Sequence, residues 1–361
     1  NLAFAGCLSL SELTIREGVK HIGSGAFTFC ESLASLSLPE SVKSIGVRAF
    51  CGCSQLARVT VPEGLTDIGS EAFLYTSWFR DKDNWDHGAL YLGRALISVE
   101  RDLRGAYTVR GETRLIADAA FYRCRELKHV RLPEGLAYIG RGAFYDCKAL
   151  AEIEIPESVT SIGSRAFSDC GRLEEIQIPG SVKRIGESAF RNCVSLEHVS
   201  IAEGVEKIDD SAFSGCGSLE SVSIPESVTR IGDQAFADCV WLESATIPKG
   251  VTRIAAGTFR GCKSLEDLTI REGVMLIEEE AFSGCESLCR AELPEGLGFI
   301  DERAFADCVH LESVTIPGSV NYIDDTAFTG CPELVICTPV GSSAEYYARK
   351  RGIRVWTSEY E

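Results

Sequence analysis

The segment FSGCGSLESVSIPESVTRIGDQA, from Phe213 to Ala235, decides the fold because its pattern recurs along nearly the whole chain. Phenylalanine returns every 23 residues, with one longer interval between Phe73 and Phe121. A period of this length is typical of solenoids, in which each copy forms one coil. With phenylalanine as position 0 of the repeat, these residues are Phe4, Phe27, Phe50, Phe73, Phe121, Phe144, Phe167, Phe190, Phe213, Phe236, Phe259, Phe282, Phe305 and Phe328.

The apolar positions of one copy predict the elements of a coil. Alternating apolar residues in Leu219–Ile224 indicate a short strand with one buried face. Pro225 ends that strand because proline has no N–H for a β ladder. Ala235 and the next Phe and Cys lie at helical offsets, with Asp233 as an N-cap, so we expect a helical turn to return the chain.

One coil cannot bury its own apolar side, whereas stacked coils place Phe over Phe and Ile over Ile. The sequence therefore predicts an α/β repeat solenoid of about fifteen stacked coils, with short strands and short helical turns. We expect a single solenoid domain over residues 1–337, with a longer variant coil at 74–98, and a C-terminal cap over 338–361.

The unit L-x-x-V-x-I-P-x-x-V-x-x-I-G-x-x-A-F-x-x-C resembles the BspA-type leucine-rich repeat of surface and secreted proteins from host-associated bacteria and some protists. The resemblance covers nearly the whole chain, and the motif is met more than ten times. It implies a right-handed superhelix used for adhesion or ligand binding, at the cell surface or outside the cell. It transfers no catalytic residues.

Composition narrows the classes of partner. The 361-residue chain carries a formal net charge of -17, so attraction to nucleic acid or to anionic lipid is not expected. No run reaches the roughly eighteen apolar residues of a membrane span, so we expect no membrane insertion. The first residues, NLAFAGC, lack the layout of a signal peptide and fall in mid-repeat, which indicates a trimmed or mature fragment.

Cysteine usage favours a buried thiol column. Of the 16 cysteines, 13 occupy position 3 of the repeat, which is unlike a disulfide framework or a clustered zinc site. Cross-links between neighbouring coils are the alternative. Cys51, Cys289 and Cys337 break the pattern and are candidates for exposure. The thirteen are Cys7, Cys30, Cys53, Cys124, Cys147, Cys170, Cys193, Cys216, Cys239, Cys262, Cys285, Cys308 and Cys331.

Catalysis finds little support in the sequence. The five histidines lie at different repeat positions, and no nucleophile, metalloprotease or nucleotide-binding motif occurs in a suitable context. We therefore expect no enzyme activity, no cofactor and no metal site.

The longer coil offers a first candidate site. It follows Phe73 and is two residues longer than the other coils, Thr76 replaces its expected cysteine, and Ser98 takes position 0 of the next coil. Trp78, Trp85 and Tyr91 either form a ligand pocket or ledge, or fill the space left by a broken column, which is the commoner use of aromatic residues.

Two charged columns follow from the repeats. Carboxylates about 5 Å apart repel one another unless basic side chains or cations such as calcium intervene, although a solvated face is the usual meaning of such runs. The acidic column, at position 7, is Glu174, Glu197, Glu220, Glu243 and Glu266. The basic column, at position 17, is Arg184, Lys207, Arg230 and Arg253.

Further along, position 17 changes from basic to apolar. Leu276, Phe299 and Tyr322 follow one another there, with Met275 beside the first. Alternation should turn these side chains outward, so they predict an exposed apolar stripe of the kind that marks interaction sites. The alternative is that the cap or another subunit covers them.

The last residues predict a terminal cap. Ser342 and Glu345 have capping-box spacing, and Gly352 stands where a helix would stop. Repeat arrays need such a cap at their ends.

These observations favour a binding protein that recognises an extracellular protein or glycan of a host or a neighbouring cell. A structural spacer, which carries another module of a larger surface protein, is the first alternative. An intracellular interaction scaffold, which the thiol column would permit, is the second.

Overall fold

The protein is described by a computed structural model over residues 1–358. It is a repeat solenoid of about fifteen coils with few helices, which confirms the predicted fold class. The residues form two compact units, divided between Phe167 and Ser168. The single continuous domain predicted for residues 1–337 stays a prediction.

The first unit contains fourteen short strands. They are β1 (His21–Ile22), β2 (Ser35–Ser37), β3 (Ser44–Ile45), β4 (Arg58–Thr60), β5 (Asp67–Ile68), β6 (Trp85–Asp86), β7 (Ala89–Leu92), β8 (Ala95–Val99), β9 (Arg104–Thr108), β10 (Leu115–Ile116), β11 (Glu126–Arg131), β12 (Tyr138–Ile139), β13 (Glu152–Ile153) and β14 (Ser161–Ile162). Helix α1 (Ser77–Arg80) and a 3₁₀ turn (Lys82–Asn84) lie in the longer coil.

Up to residue 358, the second unit contains sixteen strands and helix α2 (Ser343–Arg351). The strands are β15 (Glu175–Ile178), β16 (Arg184–Ile185), β17 (His198–Ile201), β18 (Lys207–Ile208), β19 (Ser221–Ser223), β20 (Arg230–Ile231), β21 (Ser244–Ile247), β22 (Arg253–Ile254), β23 (Asp267–Ile270), β24 (Leu276–Ile277), β25 (Arg290–Glu292), β26 (Phe299–Ile300), β27 (Ser313–Thr315), β28 (Tyr322–Ile323), β29 (Val335–Pro339) and β30 (Arg354–Ser358).

Each regular coil contributes one strand around position 9 and one at positions 17 and 18, and equivalent strands of successive coils pair in parallel. In the second unit the first set gives the order β15-β17-β19-β21-β23, and the second gives β22-β24-β26-β28. The residues of β17 alternate between exposed and buried, as predicted for a half-buried strand. In the first unit, β6, β7 and β8 of the longer coil are antiparallel, in contrast to the other pairs of that unit.

The phenylalanines form the core of both units. Within each unit, rings of successive coils stack with nearly parallel planes and centroids 4.7–5.6 Å apart. Phe213 and its neighbours in the column are fully buried. Phe4, in the first coil of the chain, is 50% exposed because only one face of its ring is covered.

The return segment differs from the predicted helical turn. The N–H groups of Ala235, Ala237 and Cys239 each bond the carbonyl three residues earlier, at 3.1–3.3 Å. The intervening N–H groups of Gln234 and Phe236 instead donate to the next coil, at 2.8 and 2.9 Å. The segment is therefore a series of tight turns, and half of its donors join neighbouring coils.

Positive backbone angles explain why a helix does not form. Position 2 has a positive φ in every coil that has phenylalanine at position 0, and most coils have a second such residue four positions earlier. In the coil of Phe236, these are Gln234 at 56° and Asp238 at 59°. Two left-handed residues four apart cannot lie in a right-handed helix. Glycine, asparagine and aspartate are frequent at position 2 because they tolerate this region best.

The thiol column takes part in hydrogen bonding. Of the thirteen cysteines at position 3, eleven are buried, Cys7 is exposed and Cys331 is half-buried. In nine coils the Sγ donates to the carbonyl of the phenylalanine in the preceding coil, at 3.0–3.3 Å. Cysteine is thus a small apolar residue that also supplies a weak donor to a buried carbonyl. All sixteen cysteines are present as thiols, and none is in a disulfide.

The predicted C-terminal helix is confirmed. Ser342 caps α2 by accepting from the Glu345 N–H at 3.1 Å, while the Glu345 carboxylate accepts from the Gly341 N–H at 2.6 Å. Gly352 ends the helix with a left-handed φ of 69°. Tyr347 packs against Phe328, the last ring of the column, with centroids 6.1 Å apart. The predicted extent of the cap, residues 338–361, stays a prediction.

We expect the Gly284→Ala variant to lower the free energy of unfolding by about 1 kcal/mol, because alanine is strained in the left-handed region. Gly284 has a φ of 74°, and an added Cβ would meet no atom closer than 3.7 Å, so backbone strain is the main cost. Gly217→Ala is the matched control, since Gly217 lies outside that region and has open space around it. Urea unfolding followed by circular dichroism measures both. Equal stability of the two variants would contradict this account.

We expect the native protein to react with a maleimide at pH 8 rapidly at Cys289 and Cys7, and slowly at the eleven buried repeat cysteines. Burial raises the pKa of the Cys53 and Cys124 thiols to about 12, so little thiolate forms there at pH 8. Mass spectrometry before and after denaturation in urea measures the labelling of each site. Fewer than sixteen reactive thiols after denaturation would instead indicate cross-links between coils.

Candidate functional site

The structure brings the predicted apolar residues together on one face of the second unit. In the parallel ladder, Leu276 of β24 pairs with Phe299 of β26, which pairs with Tyr322 of β28. Phe299 is 50% exposed and Tyr322 49%, while Leu276 is half-buried. Met275 lies beside Leu276 and is exposed. We call Met275, Leu276, Phe299 and Tyr322 the apolar stripe.

The cap borders the apolar stripe and does not bury it. Tyr322 and Tyr346 of α2 line the same shallow cavity of about 340 Å³. Tyr346 is exposed, and Lys350 on the same wall forms an ion pair with Asp325 at 2.9 Å. The Tyr322 hydroxyl donates to the Asp324 carboxylate at 3.1 Å. The sequence missed Tyr346 because the cap lies outside the repeat and gives no periodic signal.

Three of the four residues of the basic column form ion pairs with acids at position 19 or 20. Arg184 pairs with the buried Asp209. Arg253 pairs with Glu278 at 2.5 Å. Arg230 lies 3.3 Å from Asp210. The strands align Arg184, Lys207 and Arg230 in register. Much of this column is therefore engaged within the protein.

The acidic column is exposed to solvent. The N–H groups of Glu197, Glu220, Glu243 and Glu266 each donate to the glutamate carbonyl of the preceding coil, at 2.8–3.3 Å, so the residues from Glu174 onward follow one another. Over residues 1–358, no basic side chain forms an ion pair with any of these carboxylates, and no group of three His, Cys, Asp or Glu side chains is placed to hold a metal ion. The arrangement matches a solvated acidic face.

Two of the three aromatic residues predicted for the longer coil are packed. Trp78 is 6% exposed and meets Phe73 edge to face, with centroids 5.5 Å apart, so it covers the end of the ring column. Tyr91 is buried, its hydroxyl lies 2.9 Å from that of Tyr107, and the Arg110 guanidinium stacks 4.2 Å above its ring. Their burial supports the packing interpretation for Trp78 and Tyr91.

Trp85 lines an open crevice of about 540 Å³ within the first unit. It is half-buried, donates from Nε1 to the Phe79 carbonyl at 2.8 Å, and meets the Phe79 ring edge to face at 5.4 Å. Facing these rings are the return segments 69–74 and 118–122 of two regular coils, and residues 97–101, at the end of the longer coil and just after it, complete the lining. Its volume suits a small ligand or a short segment of chain.

Asp118 is a buried acid in the wall of this crevice. The pKa of its carboxyl is raised to about 6, chiefly by burial and also by the nearby Asp67, although a hydrogen bond from the Arg141 N–H at 2.6 Å opposes the rise. Burial also raises the pKa of Asp67. Asp118 could not be found from the sequence, because its burial depends on how the longer coil is placed.

Among the described residues, no helix has both the length and the apolar character that crossing a bilayer requires.

Comparison with known sequences identifies the repeat. The model of the BspA-type leucine-rich repeat region, a region of 6 repeat copies, matches residues 1–81, 114–243 and 230–339. The unmatched interval between the first two ranges contains most of the longer coil. No curated protein matches the chain.

Several solved structures are similar. A leucine-rich repeat protein from Bacteroides ovatus is 28% identical with a TM-score of 0.53, over 94% of this chain and 88% of that one. A leucine-rich cell surface protein from Faecalibacterium prausnitzii is 26% identical with a TM-score of 0.38, over 87% and 90%. A leucine-rich repeat protein from Eubacterium ventriosum is 20% identical with a TM-score of 0.46, over 88% and 81%. The Bacteroides protein supports the repeat-solenoid fold.

We expect Asp118→Asn to change how stability depends on pH. Because the folded protein raises the pKa of Asp118 to about 6 from an ordinary 3.8, the carboxyl stabilises the fold fully below about pH 4, and this contribution is lost as pH rises through 6. Asparagine does not ionise. The free energy of unfolding of the variant relative to wild type should therefore rise by about 1–3 kcal/mol between pH 4.5 and 7.5. The melting temperature of the variant relative to wild type should rise with it.

Asp267→Asn, at an exposed position, is the control and should show a flat difference. A difference for Asp118→Asn that stays constant with pH would contradict the raised pKa. Differential scanning calorimetry at four pH values makes the comparison.

Proposed function

The chain belongs to the family of BspA-type leucine-rich repeat proteins, and from that premise we propose that it is a non-enzymatic, adhesin-like binding protein. It acts at the cell surface or in secreted form and recognises an extracellular protein or glycan. Family membership supports a role in binding, and the surface location follows from the surface and secreted proteins that the repeat resembles.

The observation that carries this proposal is the apolar stripe. Soluble proteins rarely keep neighbouring large apolar side chains half-exposed unless they contact a partner. Position 17 is basic in Arg184 and Arg230, whose side chains form ion pairs, and becomes apolar at Phe299 and Tyr322 without any gain in burial. The change from basic to apolar residues at position 17 adds nothing to the core, so we attribute this change to binding.

The chemistry of the apolar stripe suits both a protein and a glycan. Phe299 and Tyr322 are about half-exposed, and aromatic residues are frequent at the centres of protein interfaces. The cavity beside Tyr322 adds a second tyrosine, Tyr346, and polar groups from Asn321 and Lys350. An apolar ring face with polar groups around it is also what a sugar ring requires, because sugars have one apolar face and a rim of hydroxyls.

We expect the double variant Phe299→Ser, Tyr322→Ser to lose at least tenfold in affinity for a captured ligand, because it removes the two central rings. A screen of extracellular-matrix proteins and an array of glycans, with and without calcium, supplies the ligand. Both side chains are about half-exposed, so the fold should survive, which circular dichroism verifies.

The matched control is Trp241→Ser, Trp356→Ser, which removes two other exposed rings of the second unit. This control should bind as wild type does. Unchanged capture by the Phe299→Ser, Tyr322→Ser variant would rule out the apolar stripe as the site. Failure of the wild-type protein to bind anything in the screen would favour the structural spacer instead.

A further inference from the structure

Stacked coils of the first unit are joined by a regular ladder along their return segments. In the coil of Phe50, the N–H groups of Arg48, Phe50 and Gly52 donate to the carbonyls 22 residues later, at 2.8–3.0 Å. The coil of Phe27 repeats this pattern, and so does the coil of Phe121. Each regular coil therefore presents three N–H donors on one side and three carbonyl acceptors on the other.

The ladder is interrupted after the coil of Phe73. The N–H groups of Glu71, Phe73 and Tyr75, which are equivalent to those of the preceding coil, have no acceptor among residues 1–358. Phe73 is only 1% exposed. A buried main-chain donor without a partner in the protein is rare and costs free energy unless water or a ligand supplies the acceptor.

On the opposite wall of the crevice, which the coil of Phe121 forms, two main-chain carbonyls lack hydrogen-bond donors. In a regular coil, the carbonyls three residues before and one residue after the phenylalanine accept from the preceding coil. In the coil of Phe121 these are the carbonyls of Asp118 and Tyr122, and neither has a donor in the described chain. The Ala120 carbonyl between them accepts from the Val99 N–H at 2.9 Å.

The coils of Phe73 and Phe121, which form the two walls of the crevice, touch at one corner and then separate. The Asp118 N–H donates to the Ile68 carbonyl at 2.9 Å, so the two coils are in contact there. Beyond that point the crevice of about 540 Å³ lies between them, bordered by Phe79 and Trp85. The longer coil does not fill the space because Glu100 and the strand β8 before it bond instead to Gly88 and β7.

The ring column does not need filling at this place. Trp78 covers the Phe73 ring, and Tyr107 meets the Phe121 ring edge to face at 5.9 Å. The crevice instead lacks the main-chain groups that would pair with the donors of one coil and the acceptors of the other. The acids on the walls are also partly engaged, since Glu71 pairs with Arg48 and Glu100 with Lys82, each at 2.6 Å. A ligand therefore needs alternating carbonyl and N–H groups more than charge.

We propose that the crevice binds a peptide segment of a partner protein, which completes the interrupted ladder. Its carbonyls accept from the N–H groups of Glu71 and Phe73, and its own N–H groups donate to the carbonyls of Asp118 or Tyr122. In a regular coil the matching acceptors are likewise main-chain carbonyls two residues apart, since Arg48 and Phe50 donate to Ser70 and Ala72, so a peptide that presents alternate carbonyls supplies the same pattern. Addition of a strand to an open backbone edge is a common mode of peptide recognition.

The lining also defines the side chains of the peptide. Residues that face the ring column must be small, because Trp78 and Tyr107 occupy that space. A residue that faces outward meets Trp85 and Phe79 and is best aliphatic or aromatic. This site lies in the first unit and is independent of the apolar stripe, so either proposal can fail alone.

The first test uses the unliganded protein. Amide hydrogen exchange, resolved to single residues, should be at least tenfold faster at Glu71 and Phe73 than at Arg48 and Phe50, whose N–H groups are bonded. Slow exchange at Glu71 and Phe73 would overturn the proposal, because it would mean that the ladder is closed.

The second test uses a phage-displayed library of random seven-residue peptides, selected on the full chain. Counter-selection uses the Ser98→Phe variant, which places a ring in the crevice. We expect enriched peptides that bind wild type at least tenfold more tightly than Ser98→Phe or Trp85→Ala. The control Trp241→Ala, at an exposed tryptophan of the second unit, should bind as wild type does.

A third measurement does not depend on any variant folding. Binding of an enriched peptide should slow exchange at Glu71 and Phe73 at least tenfold, and N-methylation of alternate peptide residues should weaken binding at least tenfold. Absence of enrichment would overturn the proposal. Binding that leaves exchange at these two amides unchanged would overturn it as well.

Discussion

The structure depends on the main-chain hydrogen bond that the phenylalanine at position 0 donates to the next coil. In the second unit, Phe213 donates to Ala235 at 2.8 Å, and the bond sets the distance at which the two rings stack. Cys239 is tied to the same point, because its Sγ donates to the Phe213 carbonyl. Three interactions therefore share one backbone geometry, which explains why positions 0 and 3 vary so little. A coil that loses this bond loses its alignment with the next.

The sequence predicted the fold because burial recurs with the repeat. Phe213, Cys216, Leu219 and Ile231 are buried as expected, and their positions alone require stacked coils. The return segment was predicted incorrectly because Ala235 and its neighbours have helical spacing, while the left-handed φ of Gln234 has no signature in its side chain. The signal that was available lies at position 2, where Gly, Asn and Asp recur, and it becomes clear only when several copies are compared.

The candidate sites were predictable to different degrees. The apolar stripe could be predicted because strand alternation turns position 17 outward, and Phe299 and Tyr322 follow that rule. The place of Tyr346 beside it could not, since a helix outside the repeat puts it there. In the longer coil, the loss of phenylalanine at Ser98 marked the position of the crevice. The sequence could not show that Trp85 lines the crevice while Trp78 is buried, because that difference depends on packing between residues distant in sequence.

Regularity and function place opposite demands on such a chain. Within the ladder, most donors of one coil are satisfied by the next, so a regular coil has few main-chain groups free for a ligand. The coil of Phe73 keeps free donors because the next stretch of chain turns away into the hairpin of β7 and β8. This arrangement leaves the buried N–H of Phe73 without a partner in the protein. A regular coil with phenylalanine at position 98 would have supplied one. Retention of this defect beside Trp85 is the physical reason to consider the longer coil a site of recognition.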